Sequence, residues 1–188
     1  MAELDLSPTL TTELAPRFAV CAPLNAQIAV ADARIAAFAK ADPIATRLTT
    51  APGVGPVTAS AIVATIDDIT RFRTAHELEA YLGVMPSERS SGEKRQLGHM
   101  TKAGNGRLRG LAVPLVEAAW QILRSKSAET AALRAWTTQI AQRRGKRIAV
   151  VALARRLAGI LYAMWRDEVA YDAHRIRPRP PAVSQRAG

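Results

Sequence analysis

The chain has 188 residues, of which 48% are hydrophobic and 22% are charged, a composition that suits one globular domain with an appendage. Its 26 Lys and Arg residues outnumber 16 acidic residues, and the formal charge of +10 favours a polyanionic partner such as nucleic acid. The single cysteine excludes an internal disulfide, and the three scattered histidines show no metal-ligand spacing. No apolar run approaches the roughly 20 residues of a membrane span, so we expect a cytoplasmic protein with no membrane partner.

The N-terminal segment is predicted to be helical. Ser7 and Pro8 fit a helix N-cap followed by proline, and Pro16 and Pro23 are expected to interrupt the helix. Beyond Pro23, apolar residues repeat at spacings of four and three, as in a coiled-coil seam; they are Leu24, Ile28, Ala31, Ile35 and Phe38. Two heptads suit a coiled coil and a helix packed on its own domain equally well.

A short helix, a glycine-containing turn and a second apolar helix are predicted for residues 44–66. Gly53 and Gly55 permit a tight turn and a close approach of the backbone to another surface. The N-terminus of the second helix could then direct amide groups at a phosphate. This pattern resembles the helix-hairpin-helix module of many DNA-binding proteins, and both glycines are therefore candidate DNA-binding residues. A plain helical hairpin is the alternative.

The next helix is predicted to begin at Thr74, with Glu77 as its capping-box partner, and to end at Gly83. Four acidic residues lie in or near this region. We interpret them as helix-terminal and solvated charges rather than as metal ligands, since no strand scaffold presents them convergently; they are Asp67, Asp68, Glu77 and Glu79.

Residues 87–109 form a polar, basic segment with almost no apolar residue before Leu97. Core burial cannot order a loop of this composition, so we expect its order to come from a polyanion. Ser90 and Ser91 directly precede Gly92 and a run of cations, and a hydroxyl among cations is what phosphoryl chemistry on nucleic acid requires. Composition alone indicates phosphate binding, with a nucleophilic serine as the less common alternative. The candidate DNA-binding cations are Lys94, Arg95, Lys102, Arg107 and Arg109.

The C-terminal half is predicted to contain three more helices, with Pro114 bending the first and Gly145 ending the second. Residues 142–147 form a second basic turn around Gly145, which adds Lys146 to the DNA-binding candidates. Three tryptophans fall in apolar helical positions and are interpreted as core residues; they are Trp120, Trp136 and Trp165.

The predicted fold class is therefore all-α, with strand signals nearly absent. A short coiled-coil-like helix precedes a helical domain that contains the helix-hairpin-helix, and a basic disordered tail follows it. The expected boundaries of these three parts are residues 1–42, 43–167 and 168–188.

Several short motifs follow one another in order between residues 24 and 172. They include Pro52-Gly53-Val54-Gly55-Pro56, Leu82-Gly83-Val84-Met85-Pro86, Ser90-Ser91-Gly92, Lys102-Ala103-Gly104-Asn105 and Gly145-Lys146-Arg147. The ordered set resembles the C-terminal half of the "IS one-ten" group of bacterial insertion-sequence transposases, the bridge-RNA-guided recombinases. The set is far more specific than any one of its motifs.

The resemblance implies a composite active site. In that group, an N-terminal RuvC-like domain with four metal-binding acids is joined through a coiled coil to a helical domain, whose serine attacks a DNA phosphodiester. The matching residue is Ser91, with Ser90 as the close alternative and Ser87 as a distant one. The resemblance also implies DNA and a guide RNA as partners, and a homodimer or tetramer formed through residues 24–38.

The chain departs from the family pattern because the acids of the RuvC-like domain are missing from these 188 residues. We therefore expect no metal ligand on this chain, Mg²⁺ only together with the missing domain, and doubtful activity for the chain alone. Two functions remain open. The chain is a transposase fragment that supplies a serine, or it is a non-catalytic helix-hairpin-helix module that contacts phosphates only.

Overall fold

The computed structural model describes residues 7–84, 86–91, 94–100 and 109–175, with side chains described for residues 7–84 and 112–174. The described part is all-α, as predicted, with one β-hairpin between the fourth and fifth helices. In chain order the elements are α1 (Pro8–Ala41), α2 (Pro43–Leu48), α3 (Pro56–Ile66), α4 (Ala75–Tyr81), β1 (Pro86–Ser91), β2 (Lys94–Met100), α5 (Arg109–Arg124), α6 (Ala131–Arg144) and α7 (Lys146–Arg166). Short 3-10 turns lie at Ile69–Arg71, Ala128–Thr130 and Ala173–Arg175.

The core is built around α7, which packs against α2, α4, α5 and α6. Its apolar positions recur at helical spacing and are buried, among them Leu153, Leu157 and Leu161. Tyr162 is also buried, and its hydroxyl donates a hydrogen bond of 3.0 Å to the carbonyl oxygen of Phe72. Because that bond satisfies the hydroxyl, the core accepts this polar group without leaving it unpaired.

The long helix α1 corrects one expectation from the sequence, because Pro16 and Pro23 lie inside it and do not interrupt it. Each proline removes one backbone donor, and the alanine-rich sequence around them has enough helix propensity to continue on both sides. Ser7 caps the helix as predicted: its Oγ accepts a hydrogen bond of 3.4 Å from the amide of Leu10. Among the described α1 residues, only Ala39 is buried.

The predicted seam of α1 is largely exposed within this chain. Leu24 is 56% exposed and Phe38 is 74% exposed, while Ile35, near the end that packs on α2 and α3, is half-buried. The rest of the domain therefore does not cover most of the seam. Of the five seam residues, only Ile35 is partly covered by the chain's own domain.

Two helices, α1 and α7, are long and apolar enough to cross a bilayer by length and composition alone. This corrects the expectation that no apolar stretch approaches such a length, because a helix can reach that mean hydropathy while carrying a few scattered polar residues. In α7, 56% of the most apolar 18-residue stretch is buried inside the protein, which is typical of a core helix. In α1, 0% of the corresponding stretch is buried. Length and hydropathy alone are weak evidence for a membrane span.

The predicted basic loop also differs from the structure, since much of it is an antiparallel β-hairpin. Ser91 pairs with Lys94, Ser90 with Arg95, and Glu88 with Leu97, with an irregularity between Pro86 and Glu88. Two paired strands satisfy each other's amides and carbonyls, so this segment acquires regular structure without an apolar core.

The segment after α7 packs back on the helical domain. The Tyr171 amide donates a hydrogen bond of 2.9 Å to Thr50 Oγ1, and the Tyr171 hydroxyl lies 3.4 Å from the carbonyl oxygen of Glu129. An ion pair of 3.8 Å joins Glu168 to Arg47. These contacts tie the first residues of the predicted tail to α2, to the turn that follows it and to the turn before α6. Residues 176–188 lie outside the described residues.

Candidate nucleic-acid interface

The closed end of the hairpin brings together four of the predicted site residues. Ser91 is the last residue of β1 and Lys94 the first of β2, and they occupy opposite positions of the ladder, as do Ser90 and Arg95. Directly opposed residues of an antiparallel pair have Cβ atoms about 5 Å apart. The backbone register thus sets each of the two candidate serines beside a cationic position.

The other cations predicted around the serine lie partly or wholly outside the described residues. Arg109 begins α5, and its side chain is outside the described part of the chain. Lys102 and Arg107 also lie outside the described residues. Their convergence with Ser91 stays a prediction.

The α2–α3 turn explains why a glycine is required at position 53. Gly53 has a φ of +76°, and a Cβ atom built there would lie 2.6 Å from the backbone oxygen of Ala118 in α5. The close approach predicted for Gly53 is therefore an approach to another helix of the same chain. Packing alone accounts for this glycine, and its contact with DNA stays a prediction.

Gly55 has different surroundings, because nothing lies within 4 Å of a Cβ atom built there. It is exposed and occupies the N-cap position of α3, where no side chain caps the helix and Pro56 follows at the first helical position. An uncapped N-terminus presents amide donors to solvent. Contact of Gly55 with a phosphate stays a prediction.

The turn between α6 and α7 is the second basic region. Gly145 has a φ of +87° and ends α6, as predicted, and Lys146 is the first residue of α7. The Lys146 Nζ lies 5.3 Å from the centroid of the Trp120 ring, and the Arg124 guanidinium carbon lies 5.8 Å from the same centroid. The contact with Lys146 joins the end of α5 to this turn, and the contact with Arg124 lies within α5.

The tryptophans divide between two environments. Trp165 is buried, as predicted, whereas Trp120 and Trp136 are half-buried and each lies under a cation. Sequence reasoning missed these contacts because it assigned all three rings to the core. The spacing of four between Trp120 and Arg124 on one helix was a usable signal.

Three arginines of α7 contact other side chains of the chain. Arg155 of α7 pairs with Glu79 of α4 at 3.1 Å, which corrects the interpretation of Glu79 as a solvated charge. The Arg156 guanidinium lies 4.6 Å from the centroid of the Trp136 ring, and its partial burial lowers its pKa from the usual value. Hydrogen bonds to the Asp167 carboxylate raise the pKa of Arg166. Arg155 and Arg156 thus join α7 to α4 and α6, whereas the exposed Arg166 pairs with its neighbour Asp167.

The acidic residues near α4 are mostly local caps. The Asp68 carboxylate accepts hydrogen bonds from the side chain and backbone amide of Thr70, and these bonds lower the pKa of Asp68. Thr74 Oγ1 accepts from the Glu77 amide at 3.3 Å, which confirms the predicted cap, and Glu77 Oε2 accepts from the amide of Arg73 at 2.8 Å. Within the described ranges, no three His, Cys, Asp or Glu residues could together hold a metal ion. The Asp68 and Glu77 carboxylates are thus engaged in capping the chain's own backbone.

Comparison with known proteins places this arrangement in context. Residues 45–135 match the sequence model of the family described as "Transposase IS116/IS110/IS902 family". The chain is 35% identical over 148 residues to a "Probable family 20 transposase" of Pseudomonas aeruginosa, a match that covers 79% of this chain and 43% of the relative.

Two further relatives extend the comparison. The identity is 35% over 150 residues with the "Transposase for insertion sequence element IS1111A" of Coxiella burnetii, covering 79% of this chain and 40% of that protein. It is 32% over 142 residues with an "Insertion element IS110 uncharacterized 43.6 kDa protein" of Streptomyces coelicolor, covering 76% and 34%. The chain thus spans about two fifths of the length of the first two of these curated relatives.

Proposed function

Because the chain belongs to the IS116/IS110/IS902 transposase family, we propose that it is the DNA-binding helical region of an insertion-sequence transposase that acts in the cytoplasm. In this proposal it supplies a serine nucleophile for DNA strand cleavage and exchange, with DNA as substrate and a guide RNA as partner. The helix-hairpin-helix of α2 and α3 contacts the sugar-phosphate backbone, and α1 joins copies of the chain through residues 24–38.

The observation that carries the nucleophile is the hairpin register. Ser91 lies opposite Lys94 at the closed end of the hairpin, so a phosphate reached by the serine is also within reach of a cationic residue. The charge of +10 supports a polyanionic substrate for the same region. If the same serine–lysine pair lay in a neutral, apolar region, it would indicate neither a nucleophile that meets a phosphate nor a polyanionic substrate.

The reaction assigned to Ser91 is a transesterification. Its Oγ forms a bond to a DNA phosphorus, the bond from that phosphorus to one sugar oxygen breaks, and the serine proton passes to a base while the released sugar oxygen takes up a proton. Lys94 and Arg95 hold the phosphate and stabilise the negative charge that develops on its oxygens. In the composite site implied for the family, acids of a RuvC-like domain would hold a metal ion, and that ion would stabilise this charge further.

The first prediction tests the nucleophile by adduct formation. Joined to a RuvC-like domain of the same family, with guide RNA, Mg²⁺ and branched DNA, the chain should form a protein–DNA adduct that survives denaturation. Ser91→Ala should abolish the adduct and leave DNA binding intact, because it removes one hydroxyl and no charge. The measurement is a denaturing gel with labelled DNA, together with a binding titration.

Matched serines supply the controls. Ser87→Ala should retain the adduct and Ser90→Ala should reduce it only mildly, since these residues are the distant and the close alternatives. The chain alone should bind DNA without forming an adduct. If Ser90→Ala loses the adduct while Ser91→Ala keeps it, the nucleophile is Ser90; if both variants keep it, the region is a non-catalytic module that binds phosphate.

A further inference from the structure

We propose that the exposed cations at the α6–α7 turn form a second surface that binds the phosphate backbone of nucleic acid, separate from the hairpin. This surface, the α6–α7 cluster, consists of Arg143, Arg144, Lys146 and Arg147 together with Arg124 at the end of α5. The inference rests on the proposed function in one respect, because that function makes nucleic acid the polyanion present.

The charge distribution along the chain singles out this turn. Residues 130–166 contain no acidic residue, so α6 and α7 carry positive charge only. Four of their cations are concentrated in the five residues around Gly145, and all four are exposed. Like charges so close together repel one another, and a bound polyanion relieves that repulsion.

The remaining cations of α6 and α7 have other roles. Arg155 pairs with Glu79, Arg156 covers Trp136, and Arg166 pairs with Asp167. Arg134 donates hydrogen bonds to the Thr130 hydroxyl at 2.8 Å and to the Ser127 carbonyl oxygen at 3.1 Å. The fold therefore engages these four side chains.

The cluster is different. Within the part of the chain that the structure describes, the side chains of Arg143, Arg144 and Arg147 make no ion pair or hydrogen bond. Lys146 and Arg147 also occupy the first turn of α7, where the helix dipole disfavours cations and favours anions. An anion bound at this turn would reverse that unfavourable arrangement.

The position of Trp120 fixes where the cluster lies. Lys146 and Arg124 both lie over its ring, so the cluster is at the C-terminal end of α5. Arg109 is at the opposite end of the same 16-residue helix, about 22 Å away at 1.5 Å per residue. Arg109 and the α6–α7 cluster are therefore too far apart to bind one phosphate, and substitutions in them should have additive effects on binding.

The residue types indicate the partner. Three of the four turn residues are arginines, whose planar guanidinium groups match phosphate oxygens in a two-pronged geometry. Among the described residues of this turn, Ile148 is the one exposed large apolar residue, and it offers little surface for insertion into lipid. A nucleic-acid backbone, with its regular series of phosphates, fits the cluster better than a membrane does.

The test compares duplex binding across a range of salt concentrations. Replacing Arg143, Arg144 and Arg147 together by Gln should weaken binding of a short duplex by about tenfold or more and flatten the salt slope by about two to three units, since each phosphate contact contributes about 0.9. The matched control replaces three exposed cations of α1, Arg17, Arg34 and Lys40, by Gln, which removes the same net charge. The control should retain the slope.

A second variant guards against loss of folding. Replacing the same three arginines by Lys keeps the charge and should keep the salt slope, and circular dichroism of both variants should match the parent chain. An unchanged slope in the Gln variant, or an equal loss in the α1 control, overturns the inference while the proposed function stands. Failure of the parent chain to bind any duplex overturns the proposed function itself. Loss of binding to phosphatidylserine vesicles with DNA binding unchanged would identify a lipid surface instead and also overturn the inference.

Discussion

Gly53 and Gly83 share a left-handed backbone conformation, and their surroundings differ. Their φ angles are +76° and +70°, yet a Cβ atom at position 53 meets the Ala118 backbone oxygen at 2.6 Å while one at position 83 has nothing within 4 Å. The first glycine is needed for conformation and for space, the second for conformation alone. Substitutions at the two glycines therefore separate the free-energy cost of backbone strain from the cost of steric overlap with α5.

The second prediction compares alanine substitutions at the glycines. Gly83→Ala should lower the free energy of unfolding by about 1 to 2 kcal/mol through backbone strain. Gly53→Ala should cost about 3 kcal/mol or more, because the close contact with α5 adds to that strain. Urea unfolding monitored by circular dichroism measures both.

Gly55→Ala is the control and should change stability by no more than about 1 kcal/mol, because its φ of −90° suits any residue and its surroundings are open. Equal costs at positions 53 and 83 would show that α5 yields to the added methyl group. A loss of DNA binding in a Gly53 variant would reflect unfolding. The Gly55 variant is therefore the better test of DNA contact by this turn.

At the scale of the element, α1 differs from the other helices because most of its apolar residues lie outside the core. Ile28 is 48% exposed, whereas Ile35, one heptad later, is half-buried. Two positions of one predicted seam thus have different environments within a single chain. Substitution of Ile28 therefore tests assembly between chains, and substitution of Ile35 tests packing of α1 on its own domain.

The third prediction concerns assembly through this helix. Ile28→Asp should leave the stability of the domain unchanged and should dissociate a dimer or tetramer, because a charge buried in the interface without a partner is costly. Sedimentation velocity measures the assembly and thermal unfolding measures the stability. Val113→Asp, at an exposed apolar residue of α5, is the control and should alter neither. An Ile28→Asp chain that keeps its oligomeric state would place the interface elsewhere.

The sequence predicts those features of each helix that depend on residues close together in the chain. The Thr74–Glu77 cap, the glycine that ends α6 and the helical period of α7 depend on neighbours a few residues away, and all three are confirmed. The hairpin at residues 86–100 was missed because paired backbone groups, and not apolar periodicity, hold it together. Long-range contacts such as Arg155 with Glu79 leave no signal in a single sequence.

The candidate site follows the same division. Motif order indicated Ser91 and the basic residues after it, and the register that sets Ser91 opposite Lys94 came only from the structure. Gly53 was selected correctly as a residue that needs close approach, but the surface it approaches, Ala118, is 65 positions away in the sequence. Apolar periodicity reports only on residues within the same helix or strand.

For the whole molecule, the fourth prediction is that binding to nucleic acid is electrostatic and nearly independent of base sequence. Affinity should fall steeply with salt, because several cations displace counterions from phosphates. Lys102→Ala and Arg109→Ala should each weaken binding to all duplexes alike and flatten the salt slope by about one unit. Titrations with duplexes of unrelated sequence measure both effects. A loss confined to one sequence would indicate contact with bases instead of phosphates.

The contact between Tyr171 and Thr50 has a consequence for synthesis of the chain on the ribosome. The two residues are 121 positions apart, and the ion pair between Arg47 and Glu168 is equally distant in sequence. At 5 to 20 residues per second, the α2–α3 turn emerges roughly 6 to 24 s before Tyr171 is made. During that interval the nascent turn lacks these contacts, and α7, the centre of the core, has also not been completed. Folding of the helical domain must therefore wait until α7 and Tyr171 have been made.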